Sequence, residues 1–267
     1  MKRCAMVLFF LKIMIGLLVG TLVGLTGLGG GVLLLPILIF GLGVPPIIAV
    51  GSDASFNLLT KIGAGILHWR HGNVNWRLIS ALTLGSVPGA LGGFLLLARL
   101  RSAYGSGVND ILRTFIGVLL VCVPVLLLAQ EPLEKYISRW KQPGPRSYRG
   151  ISAIGISAIG LFSGLLVGMT SLGAGSIIMM LLLLFTTYSP TMLVGTDIFH
   201  AVILAGFTSL LYLRLGTVDP ALVFALLIGS VPGSLIGVQL STVVPKLWLK
   251  RTLCFLLLAT GASMLAV

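Results

Sequence analysis

Two apolar stretches of this chain carry polar and charged side chains at the spacing of a single helix face. In VGSDASFNLLTKIG, Asp53, Asn57 and Lys61 lie at positions i, i+4 and i+8, so they form one stripe on a helix. In VGTDIFHAV, Asp197 and His200 lie at i and i+3, again on one face. A charged side chain at the centre of a bilayer costs about 2.5–3.5 kcal/mol on insertion scales, so such residues are candidates for function.

The chemistry open to these side chains is proton exchange or cation binding inside a membrane. Asp53 and Asp197 can exchange a proton or hold a cation, and His200 carries the side chain whose charge changes near neutral pH. Each aspartate also has a structural interpretation, because it follows a glycine and a hydroxyl residue and aspartate is a good N-cap. For Asp53 and Asp197, ion binding or exchange and helix capping are both open. Lys61 either pairs with Asp53 or extends to the membrane surface.

Glycine-rich stretches precede both motifs. Irregular backbone survives inside a membrane only where it lines a cavity or is buried in protein, and a helix that begins after a break offers free N–H groups at its positive end. The two stretches therefore predict paired helix breaks that bind a small anion. The predicted contacts are Gly27, Gly29, Gly30, Gly31, Ser171, Gly173 and Gly175 in the breaks, with Ser52, Asn57 and Thr196 as hydrogen-bonding side chains.

The alternative for any of these glycines is close packing of helices through small residues. Packing is the prediction for two further motifs, GSVPGALGG at 85–93 and GSVPGSLIG at 229–237, because their glycines have the GxxxG spacing within a long apolar span. The proline in each motif is expected to kink the helix that contains it.

The composition places all of these residues in a membrane protein. Of the 267 residues, 57% are hydrophobic and 9% charged, with a mean hydropathy of +1.12, whereas a soluble domain carries about 25% charged residues. The net charge of +12 fits Lys and Arg in cytoplasmic loops, and no basic patch with interleaved aromatic residues predicts a nucleic-acid partner. HExxH, GxSxG and CxxC motifs are absent from the sequence, so it predicts no enzyme, metal site or cofactor.

The chain contains an internal duplication. Residues 23–93 align without a gap to residues 167–237, with 25 identities in 71 positions, and glycines, prolines and aspartates stay in register. The predicted organisation is a first repeat at 1–130, a basic linker at 131–150 and a second repeat at 151–267.

The elements that must position the motifs are predicted to be helices, which makes the fold an all-α polytopic membrane protein. The apolar segments are 5–25, 31–43, 47–69, 74–98 and 109–129, then 151–170, 175–187, 191–213, 218–242 and 247–266. The pieces at 31–43 and 175–187 are shorter than the 20 residues that a spanning helix needs. We expect eight crossings and parallel repeats, or ten crossings and inverted repeats if the short segments span. The first segment is predicted to be a retained helix rather than a signal peptide.

The tandem motifs resemble one known family. GLTGLGGGVLLLPIL followed by VGSDASFN, and GMTSLGAGSIIMM followed by VGTDIFHA, resemble the sulfite exporter TauE/SafE family over nearly the whole chain. The resemblance implies a transporter of small sulfur-containing anions such as sulfite, sulfoacetate and related sulfonates, coupled to protons or sodium in a cell inner membrane. The chain departs from the symmetric pattern at Ser171 and Ala174, and it lacks a second proline matching Pro36. A passive anion channel and a membrane protein without transport activity are the alternatives, and the sequence leaves the anion, the direction of transport and the oligomeric state open.

Overall fold

The computed structural model describes residues 2–26, 31–140, 152–172, 188–240 and 246–266, and the single positions 175, 178, 179, 181, 182 and 186. Within these residues every regular element is a helix, as predicted. The helices are α1 (Lys2–Thr26), α2 (Gly31–Pro36), α3 (Pro46–Arg70), α4 (Trp76–Tyr104), α5 (Val108–Trp140), α6 (Ala153–Thr170), α7 (Pro190–Arg214), α8 (Pro220–Leu240) and α9 (Lys246–Ala266). A π-helical turn, Ile37–Gly41, extends α2.

Five stretches of the described chain are long and apolar enough to cross a membrane. They are Met6–Leu25, Trp76–Val125, Ala153–Thr170, Thr191–Arg214 and Pro220–Gly237. Large apolar side chains such as Phe10, Leu84 and Phe224 are exposed on their surfaces, where lipid would cover them. These features confirm a polytopic helical membrane protein, and the number of crossings stays a prediction.

The starts of the helices follow local sequence signals. Asn75 accepts hydrogen bonds from the backbone N–H groups of Arg77 and Leu78, and Asp219 caps α8 in the same way. Proline occupies the first position of α3 and of α7, where its missing N–H is not needed.

Because these two helices begin at Pro46 and Pro190, Asp53 and Asp197 lie two turns inside them. The capping interpretation of the two aspartates is therefore wrong.

The predicted linker is partly helical. Helix α5 continues to Trp140, through the first half of the segment 131–150. The remainder of that segment, 141–150, lies outside the described residues.

The first helix of each half packs against a helix of the other half. A Cβ atom added to Gly16 of α1 would overlap the backbone of Leu226 in α8, and one added to Gly20 would overlap the backbone of Ser230. Helices α4 and α6 pack in the same way through Gly85, Gly89 and Gly93 on one side and Gly160, Gly164 and Gly168 on the other. In both pairs the contacts advance in the same direction along the two helices, so the helices are parallel. The packing interpretation of 85–93 and 229–237 is confirmed.

The equivalent helices α3 and α7 cross in opposite directions. The hydroxyl oxygens of Ser55 and Ser209 are 2.7 Å apart, whereas Gly65, further along α3, faces Val202, which comes earlier in α7. Helices α5 and α9 are also equivalent and pack antiparallel.

Helix α2 is buried against this framework. All six of its residues, from Gly31 to Pro36, are buried, and Leu34, Leu38 and Val50 belong to the largest apolar cluster of the described residues. This burial fixes the start of α2 beside the middle of α3, where the polar stripe lies.

Candidate functional site

Asp53 lies fully buried beside the first residue of α2. Its Oδ2 accepts a hydrogen bond of 2.8 Å from the side-chain amide of Asn57, which also donates to the backbone oxygen of Asp53 at 3.1 Å. A Cβ atom at Gly31 would lie only 2.7 Å from Oδ2, so glycine at this position makes room for the carboxylate. The other carboxylate oxygen, Oδ1, is buried and has no hydrogen-bond partner among the described residues.

The second repeat completes the surroundings of Asp53. Helix α6 ends at Thr170, and Ser171 takes the left-handed conformation with φ of 58° and ψ of 2°. The Ser171 carbonyl oxygen lies 3.3 Å from the same Cβ position at Gly31, and its hydroxyl group approaches the Asp53 carboxylate. A left-handed non-glycine residue costs about 1–2 kcal/mol. The sequence has Gly27 at the equivalent position of the first repeat, where no such cost arises.

Asp197 has an equivalent but simpler environment. A Cβ atom at Gly175 would lie 3.0 Å from its Oδ2, and its Oδ1 is buried without a partner among the described residues. Ala201 stands where the first repeat has Asn57, so the amide that contacts Asp53 has no counterpart here. The structure thus repeats the pairing of an aspartate with a glycine of the preceding short segment. The two pairs differ in the burial of the aspartate, which is complete for Asp53 and partial for Asp197, and in the groups around it.

Lys61 links the charged groups of the two repeats. Its ammonium group is close enough to act electrostatically on Asp53, Asp197 and His200, and its side chain is half-buried. The charged interior therefore holds two carboxylates and one ammonium group. One further positive charge is needed for balance when both aspartates are ionised, because unpaired buried charges are costly.

His200 is fixed by a residue that sequence reasoning did not select. Its Nε2 and the hydroxyl oxygen of Ser86 are 2.8 Å apart and share a hydrogen bond, and both side chains are buried. Its Nδ1 is buried without a partner among the described residues. Ser86 belongs to the packing motif GSVPG, and the only signal for it in the sequence is a hydroxyl group within that motif.

Ser52 and Thr196 serve the contact between repeats. Ser52 Oγ accepts a hydrogen bond from the backbone N–H of Asp219, and Thr196 Oγ1 accepts one from the backbone N–H of Asn75, both at 3.0 Å. Thr196 also donates to the carbonyl oxygen of Met192. Because these hydroxyl groups hold the starts of α8 and α4, contact of either with a substrate stays a prediction.

The structure brings some of the predicted site residues together. Gly31, Asp53, Asn57 and Ser171 form one cluster, which we call the Asp53 cluster, and Gly175 and Asp197 form a second pair. The remaining predicted glycines lie outside the described residues: Gly27, Gly29, Gly30 and Gly173.

Helices that pack through glycines around charged interior side chains are typical of polytopic membrane proteins that move ions or polar solutes. The chain belongs to the sulfite exporter TauE/SafE family, whose model matches residues 12–264. This result confirms the family that the tandem motifs indicated.

Curated relatives are described as probable membrane transporters. The chain is 36% identical over 231 residues to the probable membrane transporter protein YjnA of Bacillus subtilis, covering 86% of this chain and 89% of the relative. It is 26% identical over 243 residues to the probable membrane transporter protein YdhB of the same organism, covering 91% and 94%. An archaeal relative, the probable membrane transporter protein MJ0441 of Methanocaldococcus jannaschii, is 27% identical over 180 residues and covers 64% and 60%. No solved structure matches the chain.

Proposed function

We propose that the chain is a secondary transporter of small sulfur-containing anions, such as sulfite, sulfoacetate or related sulfonates, in a cell inner membrane. The family supplies the substrate class. The observation that carries coupling to an ion gradient is the aspartate that each repeat places against a glycine of its short segment, Asp53 at Gly31 and Asp197 at Gly175.

The anion is proposed to bind at the two glycine breaks, Gly27–Gly31 and Ser171–Gly175. Backbone N–H groups at the start of the short helical segments contact it, and Lys61 attracts it. The same place is bordered by Asp53 and Asp197, which repel an anion while they are ionised. Binding of the anion therefore requires a proton or cation on the carboxylates, and this requirement couples the two movements.

We further propose that the two halves form inverted repeats with five segments each. Four crossings in each half would make equivalent helices parallel, whereas α3 and α7, and likewise α5 and α9, pack antiparallel. Ten segments are therefore favoured over eight. Inverted repeats allow alternating access, in which one half opens to one side of the membrane as the other half closes.

The test is ligand-dependent thermal stabilisation of the purified protein, followed by flux in liposomes. The panel is sulfite, sulfate, thiosulfate, sulfoacetate, taurine and chloride, because a ligand of the native state raises its melting temperature. We expect a shift with one or a few sulfur anions that Gly29→Val or Gly173→Val abolishes. Gly92→Ala is the matched control, since a Cβ atom there meets nothing within 4 Å.

Liposome flux then separates a transporter from a channel. A coupled transporter accumulates the labelled anion against its gradient when a proton or sodium gradient is imposed. Flux that only equalises the concentrations would identify a passive channel, and the absence of any stabilising anion or flux would contradict transport of these anions.

A further inference from the structure

We propose that Asp53 and the C-terminal end of α6 together bind one monovalent cation, a sodium ion or a proton, at a site that spans the two repeats. The shared chemistry is a single positive charge held between the Asp53 carboxylate and the Ser171 carbonyl oxygen. The role of this cation as the coupling ion rests on the proposed function, but its binding does not.

Two oxygen acceptors and one donor surround Gly31, and the donor, the side-chain amide of Asn57, is already used in its hydrogen bond to Oδ2 of Asp53. Oδ2 of Asp53 and the backbone oxygen of Ser171 lie 2.7 Å and 3.3 Å from one point beside Gly31, and the Ser171 hydroxyl approaches the same carboxylate. Because Gly31 has no side chain, the carboxylate can lie close to the backbone at the start of α2. Oδ1 of Asp53 is buried and has no hydrogen-bond partner among the residues that the structure describes, which leaves one carboxylate oxygen to be satisfied.

The helix end adds to the negative potential. The C-terminus of an α-helix carries about half a negative charge, and here the end of α6 meets a carboxylate instead of a basic side chain. A cation between the end of α6 and the Asp53 carboxylate would stabilise these two buried negative groups. Unwound carbonyl groups and the C-terminal ends of broken helices are the groups that coordinate Na⁺ or H⁺ in duplicated transporters.

The left-handed conformation of Ser171 supports the same assignment. It is the one non-glycine residue with positive φ in the described part of the chain, and it turns the backbone at the point where α6 meets Asp53. Backbone strain at a buried polar site is commonly retained for function. The hydroxyl group of Ser171 is a further oxygen ligand that glycine, the residue at the equivalent position 27, would not provide.

The charges of the groups around the site do not balance without this cation. Lys61 on α3 acts on Asp53, and it acts also on Asp197 and His200 of α7. The sequences of α2 and α6 contain no titratable side chain. One ammonium group shared among two carboxylates does not balance both of them.

The experiment measures cation binding in the absence of any sulfur anion. Purified full-length protein in detergent is titrated with radioactive Na⁺, with choline as the replacement cation and gluconate as the anion. In parallel, its melting temperature is followed as a function of pH in choline gluconate alone. Three variants are compared with the wild type: Asp53→Asn, Ser171→Gly, and Asp110→Asn, which removes an exposed acid at the start of α5 as the control.

If the cation is sodium, the wild type and Asp110→Asn bind Na⁺ and Asp53→Asn does not. If it is a proton, Na⁺ has no effect, and acidification stabilises the wild type and Asp110→Asn more than Asp53→Asn. Ser171→Gly accepts the left-handed backbone and removes only the hydroxyl, so it keeps the proposal testable if Asp53→Asn fails to fold. We expect it to weaken Na⁺ binding by about tenfold, or to change the pH dependence of melting.

The proposal is overturned if Asp53→Asn, or Ser171→Gly where Asp53→Asn does not fold, matches the wild type in both measurements. Cation binding without any stabilising or transported anion would reject the proposed function and leave this site standing. Anion transport with no cation bound at Asp53 would reject the cation site and leave the proposed function standing.

Discussion

The hydroxyl oxygen of Ser52 accepts a hydrogen bond of 3.0 Å from the backbone N–H of Asp219, which lies in the other repeat. Thr196 and Asn75, at the equivalent positions, make the same bond at the same distance. Since Ser52 and Thr196 lie near the N-terminal ends of the antiparallel helices α3 and α7, the two bonds lie at opposite ends of this helix pair. They form a symmetric pair of contacts, termed here the reciprocal bonds, that joins each repeat to the helix start of the other.

Removing either reciprocal bond should destabilise the fold. Ser52→Ala and Thr196→Val each leave a helix-start N–H without its acceptor, which costs about 1–3 kcal/mol in the free energy of unfolding. Because the two sites are far apart, the double variant should show the sum of the two effects. Thermal melting of the purified variants measures this.

Ser102→Ala is the control for this pair, since the Ser102 hydroxyl donates only to the carbonyl oxygen of Ala98 at an exposed position. Its melting temperature should stay close to that of the wild type. A double variant no less stable than either single variant would contradict the independence of the two reciprocal bonds.

Neighbouring glycines of α4 should respond in opposite ways to alanine. A Cβ atom at Gly93 would overlap the carbonyl oxygen of Leu165 in α6, whereas one at Gly92 meets nothing within 4 Å. We expect Gly93→Ala to cost about 1–3 kcal/mol through overpacking. Gly92→Ala should raise stability by up to about 1 kcal/mol, because alanine favours the helix. Equal melting temperatures of the two variants would contradict the packing role.

The sequence was sufficient to predict the helices and the packing motifs. The predicted segment 47–69 corresponds to α3 at Pro46–Arg70, because apolar runs between proline and glycine define the ends of a helix locally. The packing of 85–93 followed from glycine spacing alone, since a stripe of small residues is a property of one helix.

Properties that depend on distant residues were not predictable. Ser52 was assigned to a substrate, but its partner Asp219 lies in the other half of the chain, and no local pattern identifies such a pair. The direction of α7 relative to α3 could not be obtained either, because basic residues flank segments on both sides of the membrane in the eight-crossing arrangement. For the same reason the role of Ser86, which depends on the approach of His200, was missed.

The left-handed residue at the end of α6 should make glycine more stable than alanine at position 171. Ser171 has φ of 58°, where glycine carries no steric penalty and alanine does. Ser171→Gly should therefore exceed Ser171→Ala in the free energy of unfolding by about 1 kcal/mol. Melting of both variants in detergent without sodium tests this. Alanine equal to or better than glycine would show that the backbone at 171 does not hold this conformation in the protein.

Loss of the Asp197 carboxylate should separate accumulation of the anion from its exchange. In liposomes, the wild type is expected to accumulate labelled sulfite when an ion gradient is imposed. Asp197→Asn removes a group that must bind and release the coupling ion in each cycle, so accumulation should fall to the background level. Exchange of internal for external sulfite does not require that release and should persist.

Asp110→Asn is the matched control for this variant, because it removes an exposed carboxylate at the start of α5 and should accumulate sulfite like the wild type. Equal folding of the variants, checked by size-exclusion chromatography before reconstitution, ensures that the comparison reports transport. Asp197→Asn protein that still accumulates sulfite at the wild-type rate would exclude Asp197 from coupling, and the task would then fall to Asp53 alone. A variant that lost exchange together with accumulation would instead place Asp197 in binding of the anion itself.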